Sequence, residues 1–541
     1  MPQVGPQVGM QDWPLRLHTI IDHAARQHGT REIVSRSCEG PITRTTYADV
    51  ARRSRALAGA LMAMGIAPGE RVATLAWNNA RHLECWYGIA GAGAVCHTVN
   101  PRLFEEQIAF IINDADDKVV FADLTFVPLL EKLADRCLAG RRLVLLTDRA
   151  HMPETTLDLI CYEELVASGD PETRWLPVEE TAPAGLCYTS GTTGAPKGVV
   201  YTHRSNVLHA LSMYGGNNLA LSERSVAMPV VPMCHANAWT FAFSAPMTGA
   251  KLVLPGPKLD GASLCELIHG EGVTVTAGVP TVWIDVAARL KETGPGALQR
   301  VVTAGSACPR WMMGAFDALG VELVHAWGMT ELSPLGSFAV PRAEMADWDA
   351  EDLLNQRLKQ GSPPYGVELR VVDEKGAELP RDGEAAGRLQ ARGPAVVSGY
   401  FNGAGGQVLD GEGWFNTGDI ATIDTYGFVQ ITDRTKDVIK SGGEWISSIE
   451  LENEAASHPA IREAAAIGLP HDRWGERPLL VAVRREGAAV EAHEVLAWLE
   501  GKVAKWWLPD AVVFADDLPH TATGKLDKVA LRKLYAGFTL A

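Results

Sequence analysis

The chain has 541 residues, which is too long for one hydrophobic core and predicts two or more domains. Its hydrophobic content of 47% and charged content of 21% are those of an ordinary soluble globular protein. The net charge of −16 argues against a general nucleic-acid binder, although it leaves room for a local basic pocket that holds phosphates.

The sequence also argues against a membrane protein. No run of about 18 apolar residues predicts a membrane-spanning helix, and residues 1–13 lack the pattern of a signal peptide. The nine cysteines are scattered and form no C-x-x-C pair, which favours reduced thiols. We therefore expect a cytoplasmic protein.

Helical and extended segments alternate from the start of the chain. Amphipathic helices are predicted at residues 15–27 and 48–64. Strands are predicted at residues 71–76, 119–122, 143–146, 273–280, 301–307 and 427–432. This alternation predicts parallel α/β layers, in which ligands bind at the carboxyl ends of the strands.

One stretch, residues 188–198, reads Tyr-Thr-Ser-Gly-Thr-Thr-Gly-Ala-Pro-Lys-Gly. Glycines let the backbone turn sharply, and the amides of such a turn can surround phosphate oxygens. Neither the P-loop pattern nor the dinucleotide fingerprint fits the stretch. A flexible surface loop is the alternative, but the apolar run 198–201 directly after it favours a rigid loop beside a strand. The candidate phosphate-binding residues are Thr189, Ser190, Gly191, Thr192, Thr193, Gly194 and Lys197.

The stretch resembles the phosphate-binding motif of the adenylate-forming superfamily, which includes acyl-CoA synthetases, luciferase-like enzymes and peptide-synthetase adenylation domains. The resemblance covers almost the whole chain and is closest to the fatty-acyl-CoA synthetase branch, including the bacterial 3-methylmercaptopropionyl-CoA ligases. It implies an α/β fold with a large N-terminal domain of layered sheets and helices, residues 1–432. A hinge at 433–437 and a small mobile C-terminal α+β domain, 438–541, would follow.

The resemblance implies ATP, Mg²⁺ and the co-substrate CoA, and two further motifs support it. The first, residues 325–331, reads His-Ala-Trp-Gly-Met-Thr-Glu, and its tryptophan can stack on adenine. Its Glu331, together with Thr189, offers the oxygen ligands that Mg²⁺ prefers. Taken alone, Glu331 would be interpreted as a surface carboxylate. The implied nucleotide-binding residues of this region are Gly305, Ser306, His325, Ala326, Trp327, Gly328, Met329 and Thr330.

In the second motif, Trp-Phe-Asn-Thr-Gly-Asp, the resemblance makes Asp419 the acceptor of both ribose hydroxyls, although a turn-forming aspartate is the alternative. At the hinge it implies Arg434 on the ribose and Lys436 at the pivot. It implies that Lys440 and Trp445 belong to the segment that shapes the CoA channel, and that Lys525 is the catalytic lysine. A lysine near a chain end is more often only solvated.

The acyl pocket is predicted around a Cys-His-Ala-Asn-Ala-Trp run. His235 is expected beside the acyl and phosphate groups and Trp239 as the gate of the acyl tunnel, with core packing as the alternative for both. The candidate acyl-site residues are His235, Trp239, Gly278, Trp283, Gly305 and Met329. Because several are bulky, they favour a short or medium acid such as 3-(methylthio)propanoate.

The predicted activity is therefore an AMP-forming ligation of a carboxylic acid to CoA through an acyl-adenylate, with Lys525, Glu331, Thr330 and His235 as catalytic residues. A medium- or long-chain fatty-acid ligase, an aryl-CoA ligase or luciferase-like enzyme, a peptide-synthetase adenylation domain and a non-enzymatic nucleotide binder are the alternatives. By analogy with related synthetases we expect a homodimer.

Overall fold

The computed structural model describes residues 10–189, 195–441, 444–471, 473–521 and 526–540. In chain order its helices are α1 (His18–Gln27), α2 (Tyr47–Ala63), α3 (Ala80–Gly91), α4 (Glu105–Asp114), α5 (Val127–Leu133), α6 (Tyr162–Ser168), α7 (His203–Met213), α8 (Ala236–Trp239), α9 (Phe241–Thr248), α10 (Gly261–Glu271), α11 (Pro280–Thr293), α12 (Arg310–Ala318), α13 (Ala350–Leu358), α14 (Ser448–Ala456), α15 (Ala492–Leu499) and α16 (Lys528–Leu534). None of these helices has the length and hydropathy that a bilayer crossing requires, within the part of the chain described.

Most strands lie in the first two thirds of the chain. They are β1 (Glu32–Arg36), β2 (Ile42–Thr46), β3 (Arg71–Leu75), β4 (Val95–Thr98), β5 (Val119–Ala122), β6 (Arg142–Leu145), β7 (Leu159–Cys161), β8 (Pro183–Thr189), β9 (Lys197–Thr202), β10 (Val226–Pro229), β11 (Lys251–Leu254), β12 (Val275–Gly278), β13 (Arg300–Thr303), β14 (Glu322–Gly328) and β15 (Leu335–Phe338).

The remaining strands are β16 (Glu368–Val372), β17 (Gly387–Arg392), β18 (Phe415–Ile423), β19 (Val429–Arg434), β20 (Ile439–Ser441), β21 (Glu444–Ile446), β22 (Ile461–His471), β23 (Gly475–Arg484) and β24 (Ala511–Phe514).

Two large sheets form the first part of the fold. One has the strand order β7-β6-β5-β3-β4-β8-β9 and the other the order β15-β14-β13-β12-β10-β11-β1-β2. In both, the inner strands are parallel, and antiparallel pairs occur only at the edges (β8–β9, β14–β15 and β1–β2). The predicted parallel α/β layers are confirmed.

A single apolar cluster joins the two large sheets. It contains Val72 of β3 and Leu252 of β11, together with Leu57 of α2 and Trp86 of α3, all fully buried. The helices are amphipathic or apolar because one face of each meets this cluster. The sheets and the helices between them therefore form one layered unit, as expected for the large domain.

The last third of the chain forms two smaller sheets. Strands β16–β19 make an antiparallel sheet, and β20–β24 make a five-stranded sheet with α14, α15 and α16 in the C-terminal part. The strand predicted at residues 427–432 is β19, which in the structure continues to Arg434. It therefore includes the first two residues of the predicted hinge.

Two buried histidines on α7 tie the helix to distant backbone. His203 Nδ1 accepts a hydrogen bond from the Leu17 amide (3.1 Å), and His209 Nε2 accepts one from the Leu335 amide (3.3 Å). Burial lowers the pKa of each histidine from 6.5 to about 3. Both rings must stay neutral at these nitrogens to keep their partners.

We expect the large domain to lose stability as the pH falls below about 6.5, because the unfolded histidines then bind protons that the folded ones refuse. Each histidine contributes a slope of up to about 1.4 kcal/mol per pH unit between its two pKa values. His203→Gln keeps an acceptor but does not titrate, so the fall in Tm from pH 7 to pH 5 should be smaller than in the wild type. The exposed His493→Gln variant is the control, and an equal fall in all three proteins would contradict the prediction.

Candidate active site

The two strands that flank the predicted phosphate loop form an antiparallel hairpin. Thr189 ends β8, Lys197 begins β9, and the two residues are register partners. The hairpin therefore brings the candidate hydroxyl and the candidate cation to the same end of the seven-stranded sheet. The loop residues Ser190, Gly191, Thr192, Thr193 and Gly194 lie outside the described residues, so their role stays a prediction.

The motif at residues 325–331 ends in a tight turn after β14. A Cβ at Gly328 would lie 1.9 Å from the Pro334 carbonyl oxygen, so only glycine fits this position. The Met329 amide donates to that same oxygen (2.8 Å), which closes the turn. The Tyr201 hydroxyl of β9 donates to the Thr330 carbonyl (2.8 Å), and this bond joins the turn to the hairpin of the phosphate loop.

Glu331 lies in this turn and is buried, with 6% of its surface exposed. Burial raises the pKa of its carboxyl group, while the Tyr400 hydroxyl bond and the positive charges of Arg434 and Lys197 oppose that rise. The hydroxyl lies 2.8 Å from Glu331 Oε1, and the Lys197 ammonium lies 4.9 Å from the centre of the same tyrosine ring. One aromatic side chain thus contacts both the candidate metal ligand and the candidate phosphate-binding lysine.

Asp419 lies on β18, directly opposite Arg434 of β19. Its Oδ1 is 2.9 Å from Arg434 Nε, and its Oδ2 accepts a hydrogen bond from Trp327 Nε1 (3.1 Å). The carboxylate itself is almost fully buried. Three residues that the sequence assigned separately to adenine and ribose therefore meet in one group.

The small residues after β13 lie at the carboxyl end of the strand, where the fold predicts a ligand. Gly305 has φ +93° and Ser306 is exposed, so the backbone there is open to solvent. His325, the register partner of Thr303, is buried and its Nδ1–H donates to the Leu358 carbonyl (2.8 Å). Burial lowers the pKa of His325, so its neutral ring serves to hold the strand end in position. Ala326, beside it, is buried.

The candidate acyl residues occupy two different environments. Trp239 is buried in the same apolar cluster as Ala304 and Ala326. Ala304 directly precedes Gly305, and Ala326 is one of the predicted nucleotide-binding residues. Its turn is left-handed, with positive φ at Ala236, Ala238, Trp239 and Thr240. His235, half-buried just before this turn, lies with Nε2 3.5 Å from Asn100 Nδ2.

Trp283 lies in a different apolar cluster from Trp239. It is fully buried in a second apolar cluster with Val286 and Met312, and its indole N–H donates to the Gly278 carbonyl (3.1 Å). A Cβ at Gly278 would lie 2.9 Å from the indole ring. The ring therefore packs directly against the end of β12.

A buried cluster of charges, here called the Lys528 cluster, lies at the start of the predicted hinge and contains Asp433, Ser448, Glu452 and Lys528. The Lys528 ammonium lies 2.6 Å from Glu452 Oε1 and donates to the Ser448 hydroxyl (2.6 Å). The Ser448 amide in turn donates to Asp433 Oδ2 (2.6 Å). Burial raises the pKa of Asp433 and raises that of Glu452 to about 7. These contacts join the end of β19 to α14 and α16 of the C-terminal part.

The other predicted hinge and channel residues are more exposed. Lys436 lies at the surface, and its carbonyl accepts from Arg532, which also pairs with Asp437 (2.8 Å). Lys440 and Trp445 are register partners across β20 and β21. Lys525 lies outside the described residues, so the catalytic role assigned to it stays a prediction.

The sequence patterns did not single out Tyr400 or the Lys528 cluster. Tyr400 lies in a Ser-Gly-Tyr-Phe-Asn-Gly turn, and the only local signal was an aromatic pair between glycines. Lys528 follows Lys525, the predicted catalytic lysine, by three residues and looks like an ordinary helical lysine. Their partners are distant in sequence, so only the fold reveals them.

Comparison with known proteins identifies the family of the chain. The sequence model of the family described as AMP-binding enzyme matches residues 21–401, and that of the AMP-binding enzyme C-terminal domain matches residues 450–525. The chain belongs to the AMP-binding enzyme family. Both the recognised superfamily and the predicted fold class are confirmed.

Full-length relatives of this AMP-binding enzyme are CoA ligases. A medium-chain-fatty-acid–CoA ligase of Ectopseudomonas oleovorans is 49% identical over 97% of each chain. A 3-methylmercaptopropionyl-CoA ligase of Ruegeria lacuscaerulensis is 48% identical over 97% of this chain and 98% of its own. The crystal structure of ATP-bound MatB from Rhodopseudomonas palustris superposes with a TM-score of 0.81 at 26% identity, covering 96% of this chain and 99% of MatB.

We expect Asp419→Asn to weaken ATP binding by this AMP-binding enzyme at least about tenfold, because hydrogen bonds to a charged acceptor contribute about 1.5–3 kcal/mol each. Equilibrium titration with ATP measures this directly. Asp424→Asn is the matched control, since Asp424 is also buried at the end of β18 and pairs with Lys359 (2.6 Å). It should lower the Tm and leave the ATP affinity unchanged, and equal losses of affinity in both variants would remove the special role of Asp419.

Proposed function

We propose that this AMP-forming acyl-CoA ligase activates a short- or medium-chain carboxylic acid, with 3-(methylthio)propanoate as the favoured substrate. The ligase activity itself follows from the family and its full-length relatives. The observation that carries the assignment of roles is the grouping of the motif residues. Trp327, Asp419 and Arg434 meet at one end, and Glu331 and Lys197 share one tyrosine at the other.

In the first half-reaction an oxygen of the substrate carboxylate attacks the α-phosphorus of ATP, and the bond to pyrophosphate breaks. Both reactants are anions, so negative charge accumulates in the transition state and positive groups must offset it. Lys197, which directly follows the predicted phosphate loop, would supply one cation, and the amides of the loop would donate hydrogen bonds. Lys525 would add a second cation. The residues position and neutralise, so no enzyme nucleophile is needed.

The donor set at Glu331 suits Mg²⁺. A carboxylate and the Thr189 hydroxyl are hard oxygen ligands. The buried Glu331 carboxylate accepts a hydrogen bond from Tyr400 and is stabilised by the positive charges of Arg434 and Lys197. When bound, Mg²⁺ would neutralise phosphate oxygens of the nucleotide. The protein's part is to hold the carboxylate in one orientation.

In the second half-reaction the CoA thiolate attacks the carbonyl carbon of the acyl-adenylate, and the bond to AMP breaks. The Lys528 cluster and Arg532 link the hinge to α16, the helix that follows the predicted catalytic lysine. Movement at the hinge would therefore carry Lys525 away and bring the segment around Lys440 and Trp445 forward. We also propose that the enzyme is a cytoplasmic homodimer, by analogy with related synthetases.

We expect Lys525→Ala to abolish pyrophosphate release while leaving thioester formation from supplied acyl-adenylate largely intact, because the lysine offsets charge only in the first step. Pyrophosphate and acyl-CoA are measured separately in single-turnover assays. Lys533→Ala, an exposed lysine on α16, serves as the control. An equal loss of both half-reactions would contradict this division of labour.

The size of Trp239 supports the choice of a short acid. The indole is buried in the apolar cluster that also contains Ala304, the residue before Gly305 of the segment predicted to line the acyl group. Volume taken by the ring is volume denied to a substrate chain. The names of the two relatives point to acids of the same size range, a methylthio-propanoate and a medium-chain acid.

An acid panel with ATP, Mg²⁺ and CoA, followed by AMP release, tests this substrate range. We expect C3–C8 acids and 3-(methylthio)propanoate to exceed palmitate in kcat/KM. Trp239→Ala should shift the optimum to longer acids. The value of kcat/KM should rise about fourfold for each further methylene that becomes buried, since one buried methylene is worth about 0.8 kcal/mol. Trp348→Ala, from a separate small cluster, should leave the optimum unchanged. A wild-type preference for palmitate or for aryl acids would overturn the assignment.

A further inference from the structure

The Tyr400 side chain contacts both Glu331, the candidate metal ligand, and Lys197, the candidate phosphate-binding lysine. Its hydroxyl lies 2.8 Å from Glu331 Oε1 and its ring centre lies 4.9 Å from Lys197 Nζ. From this geometry we propose that Tyr400 is a positioning residue that orients the Glu331 carboxylate for the metal and holds Lys197 toward the phosphates. The inference rests on the proposed function and adds a residue to it.

The backbone around Tyr400 is built onto the turn that contains Glu331. The Val397 amide donates to the Glu331 carbonyl (2.8 Å), and the Ser333 hydroxyl donates to the Ala395 carbonyl (2.7 Å). The segment 395–400 therefore runs alongside the metal-site turn and cannot drift from it without breaking two hydrogen bonds. This fixes the base from which the tyrosine side chain reaches the carboxylate.

The residues after Tyr400 contact the hairpin of the phosphate loop. A Cβ at Gly198 would lie 2.9 Å from Phe401 Cβ, so the glycine allows the aromatic segment to sit against β9. The side-chain amide of Asn402 donates to the backbone carbonyl of Asp114 (3.2 Å). The Asp114 carboxylate in turn accepts a hydrogen bond from the Tyr188 hydroxyl of β8 (2.6 Å). The turn 400–402 therefore contacts β9 directly and is linked to β8 through Asp114.

The hydroxyl bond sets the direction of the Glu331 carboxylate. A carboxylate offers about four lone-pair sites, and one O–H donor uses one of them and restricts rotation about the last bond of the side chain. Mg²⁺ demands near-ideal geometry from its oxygen ligands, so a carboxylate that is already oriented binds it better than a rotating one. Loss of the hydroxyl should therefore weaken the metal-bound form of the nucleotide.

The ring acts on Lys197 in a different way. An ammonium over an aromatic face is attracted by the ring quadrupole, and the bare backbone of Gly405, where a Cβ would lie 2.9 Å from Lys197 Nζ, leaves room for it there. Phenylalanine keeps this contact and leucine does not. The two functions of Tyr400 can thus be separated by substitution.

The test measures equilibrium binding of ATP in saturating Mg²⁺ and in excess chelator, for the full-length protein. We expect Tyr400→Phe to weaken binding of MgATP about 10- to 100-fold, the range for a hydrogen bond to a charged group, and to leave binding of metal-free ATP unchanged. Tyr400→Leu should weaken both. In a Glu331→Gln background, Tyr400→Phe should have no further effect on MgATP binding, because the hydroxyl acts through that carboxylate.

Tyr162→Phe is the matched control. Its hydroxyl also donates to a buried carboxylate, Glu84 Oε2, at 2.7 Å, but in the core of the large domain. It should lower the Tm as much as Tyr400→Phe and change neither affinity. The inference fails if Tyr400→Phe binds MgATP like the wild type, or if it loses MgATP and metal-free ATP equally. Should the wild type bind neither form of ATP, the proposed function itself would fall.

Discussion

The proposed nucleotide site depends on the contacts of the buried Asp419 carboxylate with Arg434 and Trp327. Burying a carboxylate is costly unless charged or polar partners replace water. Here Arg434, at the end of β19, and Trp327, on β14, supply them. One buried acid thus fixes the relative position of these segments. Because Arg434 lies in the predicted hinge, we propose that this acid couples the nucleoside end of the proposed site to the C-terminal part.

The same constraint recurs along the site. Glu331 is buried and held by Tyr400, and Asp433 is buried and held by the Ser448 amide near Lys528. Each acid receives its partner from a segment distant in sequence, so removing one partner leaves an acid that the fold can no longer accommodate. In the proposed site, Arg434 and Lys197 would offset the negative charge of the acids and of the ATP phosphates.

The nucleotide chemistry and the parallel strands were readable from sequence because each depends on local patterns. Val119–Ala122 was predicted with its observed limits, since a short run of β-branched and aromatic residues between polar residues favours a buried strand. The run after Trp86 was not resolved in advance, because α3 and β4 are both apolar and their boundary at Gly91 is set by packing. Tyr400 was missed for another reason. Its role lies in two contacts across the fold, and no spacing in its own segment encodes them.

The acyl end of the site is less readable than the nucleotide end for a physical reason. Phosphate, metal and ribose require particular polar atoms, so residue types reveal them, whereas an acyl pocket is defined by volume. The volume of the proposed acyl pocket would depend on a left-handed turn at Ala236–Trp239. This conformation costs about 1–2 kcal/mol per residue and persists only where the surroundings impose it. The position of Trp239 is therefore a property of the whole apolar cluster around it. The length of acyl chain that the proposed pocket accepts would therefore depend on how that cluster repacks.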